Sequence, residues 1–300
     1  MDLGEAVMTE PLAAVAPAIE PPALFTGLCD DAAVFPPGLA PLAEAVPAHR
    51  RHRAAAYAPM VGPLVLPVNA LGDLGPMLRE KIGISVTAPG GPDDVTETFA
   101  AASGIPVELH GIEVAVPPGM SPGDFFRALD RAHAGREDVP VCVEVPRDER
   151  RSEIIRGLAA TGHRAKFRTG GVTADLYPSV EELADAIKSA VIAGVPFKAT
   201  AGLHNPVRHT ERATGFDQHG YLNILLATDA ALDGGTAAEL AKILDQRDPF
   251  FVAGAVPALA DRAAEIRSAF LSFGTCSIAE PLGDLAGLGL LPDEFFQEDL

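Results

Sequence analysis

The sequence has little cysteine, no long apolar run and a deficit of positive charge, and each shortage excludes a class of protein. Its three cysteines, Cys29, Cys142 and Cys276, are far apart and odd in number, which argues against a disulfide framework. No segment approaches the ~20 consecutive apolar residues of a membrane-spanning helix. The formal net charge of -18 repels phosphate backbones and anionic lipids, so we expect neither nucleic acids nor membranes among the partners.

The N-terminal segment also lacks the basic start and apolar run of a signal peptide. It is rich in Ala and Pro without a periodic apolar face, which predicts a flexible tail over residues 1–22 and a single domain over residues 23–300. With so few cysteines, this favours a cytoplasmic protein. The glycine-rich fingerprint of dinucleotide-binding folds and the P-loop lysine are absent as well, so we predict no cofactor.

From residue 63 onward, short apolar or β-branched runs alternate with amphipathic helical stretches. Strands separated by helices of about 10–15 residues form right-handed βαβ units with a parallel sheet. Eight such runs predict a (β/α)8 TIM-like barrel, with a doubly wound open sheet as the alternative. A compact segment from Leu24 to Pro37 precedes this repeat. Its part from Cys29 to Pro37 is predicted to plug or cover the barrel, within an N-terminal helical plug, and Asp30 and Asp31 are predicted to form a helix cap outside the repeat. The predicted strands are Leu64–Val68, Ile82–Thr87, Val107–Val116, Val139–Val145, Arg164–Arg168, Pro196–Thr200, Phe250–Ala253 and Leu271–Cys276.

Lysine is scarce in this chain, yet two of the five lysines, Lys166 and Lys198, lie inside apolar strand runs. Side chains alternate along a strand, so Lys166 shares a face with Arg168, and Lys198 shares one with Thr200. Barrels carry their functional groups at the C-terminal ends of the strands, and we therefore expect both lysines and Arg168 to converge in the lumen. Burial beside other cations lowers the pKa of an amine. This predicts Lys198 as the reactive amine and Lys166 as a second catalytic group.

Polar residues around the lysines complete the predicted site. A Thr-Gly-Gly bend after Arg168 exposes backbone N–H groups of the kind that bind phosphate or carboxylate. The predicted substrate-binding residues are Arg168, Thr169, Gly170, Gly171, Thr200, Asn205 and Arg208. Strand alternation also directs Glu108, His110, Cys142 and Glu144 towards the lumen, and a carboxylate beside Lys198 would oppose the lowering of its pKa.

The Lys198 segment, Ala-Gly-Val-Pro-Phe-Lys-Ala-Thr-Ala-Gly, resembles the segment of deoxyribose-phosphate aldolases in which the Schiff-base lysine opens a Lys-Thr-Ser-Thr-Gly run. The stretch from Lys166 to Val172 resembles that family's second-lysine segment with its Gly-Gly-Val phosphate turn. The two segments occur here in the opposite chain order and cover a small part of the chain. This local resemblance implies class I, Schiff-base aldolase chemistry. The whole chain also resembles bacterial proteins of unassigned function that carry a Phe-Lys-Ala-Thr-Ala-Gly-Leu-His segment, which implies no activity.

The loop that follows Gly202 contains three of the eight histidines, His204, His209 and His219. His204 comes directly after the Lys198 strand, which predicts that it shuttles protons to the substrate. An alternative is a hydrolase or isomerase in which the three histidines and an acidic residue hold a metal ion. Cys276, at the end of the last strand, is expected either to line the site or to be a buried structural thiol.

Together these features predict a cofactor-independent enzyme that acts on a small anionic carbonyl compound, phosphorylated or carboxylated. Either imine formation or proton abstraction by a lysine would serve, so the predicted activity is that of a lyase of the aldolase type or an isomerase. The predicted site contains no metal, and the chain is a candidate homo-oligomer. A non-catalytic barrel that binds a metabolite or scaffolds a partner is the remaining alternative.

Overall fold

Eight short strands pair side by side in parallel and close into a barrel. The structure, a computed structural model, describes residues 20–292 and residue 295. Along the chain the barrel strands are β1 (Cys29–Asp31), β2 (Val61–Pro67), β3 (Ile82–Ala88), β4 (Val107–Ala115), β5 (Val141–Glu144), β6 (Arg164–Arg168), β7 (Phe197–Thr200) and β10 (Phe270–Thr275). Around the barrel their order is β1, β10, β7, β6, β5, β4, β3 and β2. The prediction of a (β/α)8 TIM-like barrel is thus confirmed.

Helices connect the strands and surround the barrel, and a short antiparallel hairpin of β8 (His209–Thr210) and β9 (Asp217–Gln218) lies in the connection after β7. No described helix is long and apolar enough to cross a membrane. The helices are α1 (Leu42–Ala54), α2 (Leu71–Leu74), α3 (Pro92–Ala102), α4 (Pro122–His133), α5 (Arg151–Thr161), α6 (Val180–Ile192), α7 (Tyr221–Leu232), α8 (Ala237–Leu244), α9 (Pro249–Ala255), α10 (Ala263–Ala269) and α11 (Ala279–Gly287).

Aromatic side chains on three neighbouring strands lie on the face of the sheet that points away from the lumen. Phe167 of β6 packs on Phe197 of β7 with ring centroids 5.3 Å apart, and Phe197 stacks on Phe270 of β10 at 5.2 Å. All three rings are buried in the apolar core. Successive side chains of a strand point to opposite faces. Lys166, next to Phe167, and Lys198, next to Phe197, are therefore directed into the lumen.

One predicted strand, Phe250–Ala253, is wrong, because this segment lies in helix α9. The Asp248 carboxylate accepts hydrogen bonds from the backbone N–H groups of Phe250 and Phe251, at 2.9 and 3.3 Å, and Pro249 occupies the first helical position. An aspartate cap followed by proline is a strong signal for the start of a helix.

The missing eighth strand is β1, which lies in the segment predicted to be a plug. It pairs with β10 on one side, Cys29 with Phe273 and Asp30 with Gly274, and with β2 on the other. Asp30 and Asp31 are therefore strand residues of the barrel wall, and the prediction of a helix cap outside the repeat is wrong. Residues 1–19 of the predicted tail lie outside the described residues.

Candidate active site

Lys198 lies at the centre of a set of buried ion pairs in the barrel lumen. Its Nζ donates hydrogen bonds to Asp30 Oδ2 at 2.5 Å and to Glu113 Oε1 at 2.6 Å. The Asp30 carboxylate also accepts a hydrogen bond from the Ser272 hydroxyl at 2.7 Å. All four residues are buried, and their strands, β7, β1, β4 and β10, come from different parts of the chain.

Lys166 shares one of these carboxylates. Its Nζ lies 2.9 Å from Glu113 Oε2 and 3.1 Å from Glu144 Oε2. The Cα atoms of Lys166 and Lys198 are paired across β6 and β7, so the two ammonium groups project from neighbouring positions of the wall. Glu113, on β4, therefore bridges both lysines with its two oxygens.

Arg168 connects this cluster to solvent. Its Nε donates to Glu144 Oε1 at 2.8 Å. The exposed fraction of the side chain falls from 33% for Arg168 to 6% for Lys166 and Lys198. Carboxylates and cations thus alternate from the interior to the barrel mouth in what we call the lumen charge chain: Asp30, Lys198, Glu113, Lys166, Glu144 and Arg168. With every member ionised, three carboxylates balance three cations.

This arrangement confirms that the three cations converge, but it contradicts the predicted low pKa of Lys198. Burial disfavours the charged amine, yet Asp30 and Glu113 outweigh burial and raise the pKa of Lys198 above its ordinary value. Burial acts in the same way on Lys166, and Glu113 and Glu144 likewise raise the pKa of that lysine on balance. Because an opposite charge at contact distance favours the ionised form, both lysines are ammonium groups in the free protein.

The same pairing acts in the opposite direction on the carboxylates. Burial by itself would raise the pKa of Glu113, but Lys166 and Lys198 together lower it to about 2. The pKa of Glu144 is also lowered, since Lys166 and Arg168 outweigh the effect of its burial. Glu113 therefore stays ionised at every pH at which the barrel is expected to work.

Two carboxylates of the lumen charge chain, Glu113 and Asp30, were not among the predicted lumen residues. The predicted candidate on β4, Glu108, instead lies exposed and pairs with Lys81 at 3.3 Å. The pairing of β3 with β4 shifts register between Leu109 and Gly111. An extra residue in one strand reverses the alternation of side chains beyond it. Alternation counted from Glu108 and His110 therefore predicts that Glu113 points away from the lumen, whereas Glu113 points into it. Cys142 and Glu144 were placed correctly, since both register with lumen residues of neighbouring strands.

The predicted Gly-Gly bend has a packing role in the structure. A side chain at Gly170 would lie 2.7 Å from the Tyr177 ring and 2.9 Å from Gly202, and one at Gly171 would overlap Leu176. Both positions require glycine because of these neighbours, and binding of an anion there stays a prediction. Thr169 ties the same bend to the loop after β7, since its hydroxyl donates to the Ala201 carbonyl at 2.5 Å.

The remaining predicted substrate-binding residues lie in different parts of the structure. Thr200 borders the lumen beside Gly274, with which its Cα is paired. Arg208 is buried and binds Asp217 and Asp245 at 3.3 and 3.1 Å. Asn205 and His209, which lie 3.1 Å apart, line a cavity of about 370 Å³ together with Arg208.

His204 does not contact the lumen charge chain. Its Nδ1 lies 3.1 Å from Glu280 Oε2 and 3.7 Å from Cys276 Sγ. The alternative of a histidine metal site finds no support in the geometry: His209 approaches Asn205, and His219 is buried against the Pro178 carbonyl at 2.8 Å. Within residues 20–292 and 295, no group of three or more His, Cys, Asp or Glu side chains is arranged to hold a metal ion.

No protein-family model and no curated protein matches this chain in sequence comparisons. Among the described residues, the lumen charge chain brings two buried ammonium groups into contact with three carboxylates, and groups of these types can carry acid–base or imine chemistry.

Proposed function

We propose that this barrel is an enzyme that forms an imine between Lys198 and a small carbonyl compound. The observation that carries the proposal is the pair of buried lysines on neighbouring strands that share the Glu113 carboxylate. Buried charges are costly and are often retained where chemistry requires them. The local resemblance to Schiff-base aldolases implies the same type of chemistry.

The reaction balances with the groups that Lys198 already contacts. Its ammonium group gives a proton to Asp30, the free amine attacks the carbonyl carbon, and the carbonyl oxygen leaves as water after it has taken up two protons. The first comes from Asp30 and the second from the attacking nitrogen. The ammonium and the carbonyl compound thus become a protonated imine and water, without any oxidation or reduction. Glu113 holds both lysines in place, and Lys166 beside it keeps Glu113 ionised.

The solvent-facing end of the lumen charge chain supports an anionic substrate. Arg168 is the most exposed of its three cations, and a guanidinium binds phosphate or carboxylate through paired hydrogen bonds. An anionic group on the substrate would replace Glu144 as the partner of Arg168. The protonated imine then withdraws electrons from the neighbouring carbon, so that either cleavage of a C–C bond or removal of a proton can follow. The proposed activity is that of a lyase of the aldolase type or of an isomerase.

Reductive trapping tests the proposal. The protein is incubated with cyanoborohydride and acetaldehyde, pyruvate or glycolaldehyde phosphate, and the modified residue is identified by peptide mass spectrometry. We expect an adduct on Lys198 in the wild type and in Lys166→Arg, and none at this position in Lys198→Arg. Because the Lys198 pKa is raised, the trapping rate should increase steadily with pH as the fraction of neutral amine increases.

Two controls separate specific from adventitious labelling. Lys242→Arg removes an exposed lysine of helix α8 and should leave the adduct on Lys198 unchanged. A protein that is labelled to the same extent in the wild type and in Lys198→Arg, or that is not labelled by any of the three compounds, would contradict the proposal and favour a barrel without this chemistry.

A further inference from the structure

Three chemically reactive side chains meet at the C-terminal mouth of the barrel, outside the lumen charge chain. Cys276 follows directly after strand β10, His204 lies in the loop after β7, and Glu280 is in the first turn of α11. Cys276 Sγ lies 3.7 Å from His204 Nδ1 and 3.9 Å from Nε2, and Glu280 Oε2 lies 3.1 Å from Nδ1. A thiol, an imidazole and a carboxylate in contact are the parts of an activated nucleophile: the attacking atom, its base and a group that orients the base.

The environment of Cys276 differs from that of the other two cysteines. Cys29 and Cys142 are buried, whereas Cys276 is half-buried. Burial raises the pKa of the Cys142 thiol to about 11 and that of Cys29 further still, so both are inert thiols at neutral pH.

The loop conformation places the imidazole beside the sulfur. Ala201 and Gly202, directly after β7, have φ angles of +64° and +70°. A left-handed conformation is strained for alanine, and the hydrogen bond from the Thr169 hydroxyl to the Ala201 carbonyl helps to hold it. The left-handed pair turns the chain away from the direction of β7 just before His204.

His204 is suited to hold a proton taken from the thiol. Its hydrogen bond with Cys276 raises the pKa of the imidazole; burial opposes this, and the contact with Glu280 adds to the increase. Transfer of the thiol proton to His204 would leave the thiolate, which is the nucleophilic form of cysteine.

We propose that Cys276, His204 and Glu280 form a second nucleophilic centre that binds small aldehydes as hemithioacetals. The sulfur forms a bond to the carbonyl carbon, the π electrons of the C=O bond move to the oxygen, and this oxygen takes the proton that His204 had received from the thiol. No atom leaves and nothing is oxidised or reduced.

Addition to an aldehyde fits these residues better than acyl transfer does. A hemithioacetal needs only a nucleophile and a proton donor, both of which the three side chains supply. Acyl transfer would also need hydrogen-bond donors to the oxyanion of its tetrahedral intermediate. The centre does not depend on Lys198, and its aldehyde could be a product of the cleavage proposed above or a separate ligand.

The first test is alkylation by iodoacetamide at pH 7, with the rate measured for each cysteine by peptide mass spectrometry. We expect Cys276 to react at least about tenfold faster in the wild type than in His204→Gln, because His204 accepts the thiol proton in the proposed centre. Equal rates in the two proteins would overturn the proposal, since exposure alone would then explain the labelling.

The second test uses an aldehyde as the probe. Pre-incubation with glycolaldehyde should slow the alkylation of Cys276 reversibly, whereas ethylene glycol, which has no carbonyl group, should have no effect. The protection should persist in Lys198→Arg, which distinguishes failure of this centre from failure of the proposed imine chemistry. Absence of protection in both proteins would show that the thiol does not bind aldehydes and would overturn the proposal.

Discussion

Both lumen lysines are paired with Glu113, so its replacement should lower the stability of the protein. Replacing it by glutamine leaves Lys166 and Lys198 buried with one carboxylate fewer. Loss of one partner from a buried ion pair typically costs about 3–5 kcal/mol. We therefore expect Glu113→Gln to lower the free energy of unfolding by about this amount, measured by urea denaturation followed by circular dichroism.

The matched control is Glu108→Gln, on the same strand. Glu108 is 58% exposed and pairs with Lys81 at the surface, and such a pair is worth ~1 kcal/mol or less. Equal stability of Glu113→Gln and Glu108→Gln would show that the lumen charge chain contributes little to folding.

The pH dependence provides a second readout for Glu113. The pKa of Glu113 in the folded protein is about 2, against an ordinary value of 4.5. A carboxylate with a lowered pKa stabilises the fold above its ordinary pKa and loses this contribution as the pH falls towards the folded value. The difference in stability between the wild type and Glu113→Gln should therefore decrease as the pH falls from 4.5 to about 2.

At this scale the sequence was informative about cations and misleading about their partners. Lys166 and Lys198 can be recognised from the sequence alone, because ammonium groups are unusual in apolar strand runs. Glu113 was missed because the register shift near His110 reverses the face of all later β4 residues. The predicted lowering of the Lys198 pKa failed for the same reason, since the pKa depends on the partners that the fold supplies.

Strands β1 and β2 approach each other closely at Gly62, beside the lumen charge chain. Gly62 of β2 faces the Asp30 carboxylate so closely that a methyl group at position 62 would overlap it. Asp30 cannot move aside freely, because Lys198 and Ser272 hold its other oxygen. We expect Gly62→Ala to destabilise the protein by about 1–3 kcal/mol, as overpacking does in other cores.

A control for this substitution is Gly254→Ala in helix α9. A Cβ atom at position 254 would meet nothing within 4 Å, and alanine favours a helix over glycine by roughly 0.5–1 kcal/mol. Thermal denaturation should show a lower melting temperature for Gly62→Ala and an unchanged or higher one for Gly254→Ala. If Gly62→Ala melts at the wild-type temperature, the Asp30 carboxylate can move away from position 62 in spite of its hydrogen bonds to Lys198 and Ser272.

The elements themselves were largely predictable, and the exceptions have local causes. Helix α4 begins directly after Ser121, whose hydroxyl accepts a hydrogen bond from the Asp124 N–H at 3.1 Å, and a serine at this position favours the start of a helix. Helix α9 was misread as a strand because its apolar residues outweighed the Asp248-Pro249 start signal. Strand β1 was missed because it has three residues, too few to show a period, and two of them are acidic.

For the whole molecule, the distribution of charge matters as much as its sum. The lumen charge chain is balanced, so the net charge of -18 is carried by residues outside it. The field of the whole molecule therefore does not attract an anionic substrate, and binding must depend on short-range contacts such as those of Arg168. Composition argues against nucleic-acid and membrane partners, but it could not reveal this internal balance, which depends on residues distant in sequence.

Closure of the barrel depends on the pairing of its first strand, β1, with its last strand, β10. Strand β1 lies between β2 and β10, so a chain that begins at residue 32 would expose the edges of both strands and lose the Asp30 partner of Lys198. Unpaired strand edges in a parallel sheet favour aggregation. We expect this truncated chain to lose cooperative unfolding in urea and to form large species on size-exclusion chromatography. A chain that begins at Glu20 keeps all eight barrel strands and should unfold in one sharp transition. If the two truncated chains unfold at the same urea concentration, β1 is dispensable, and the barrel is not held closed by its first strand.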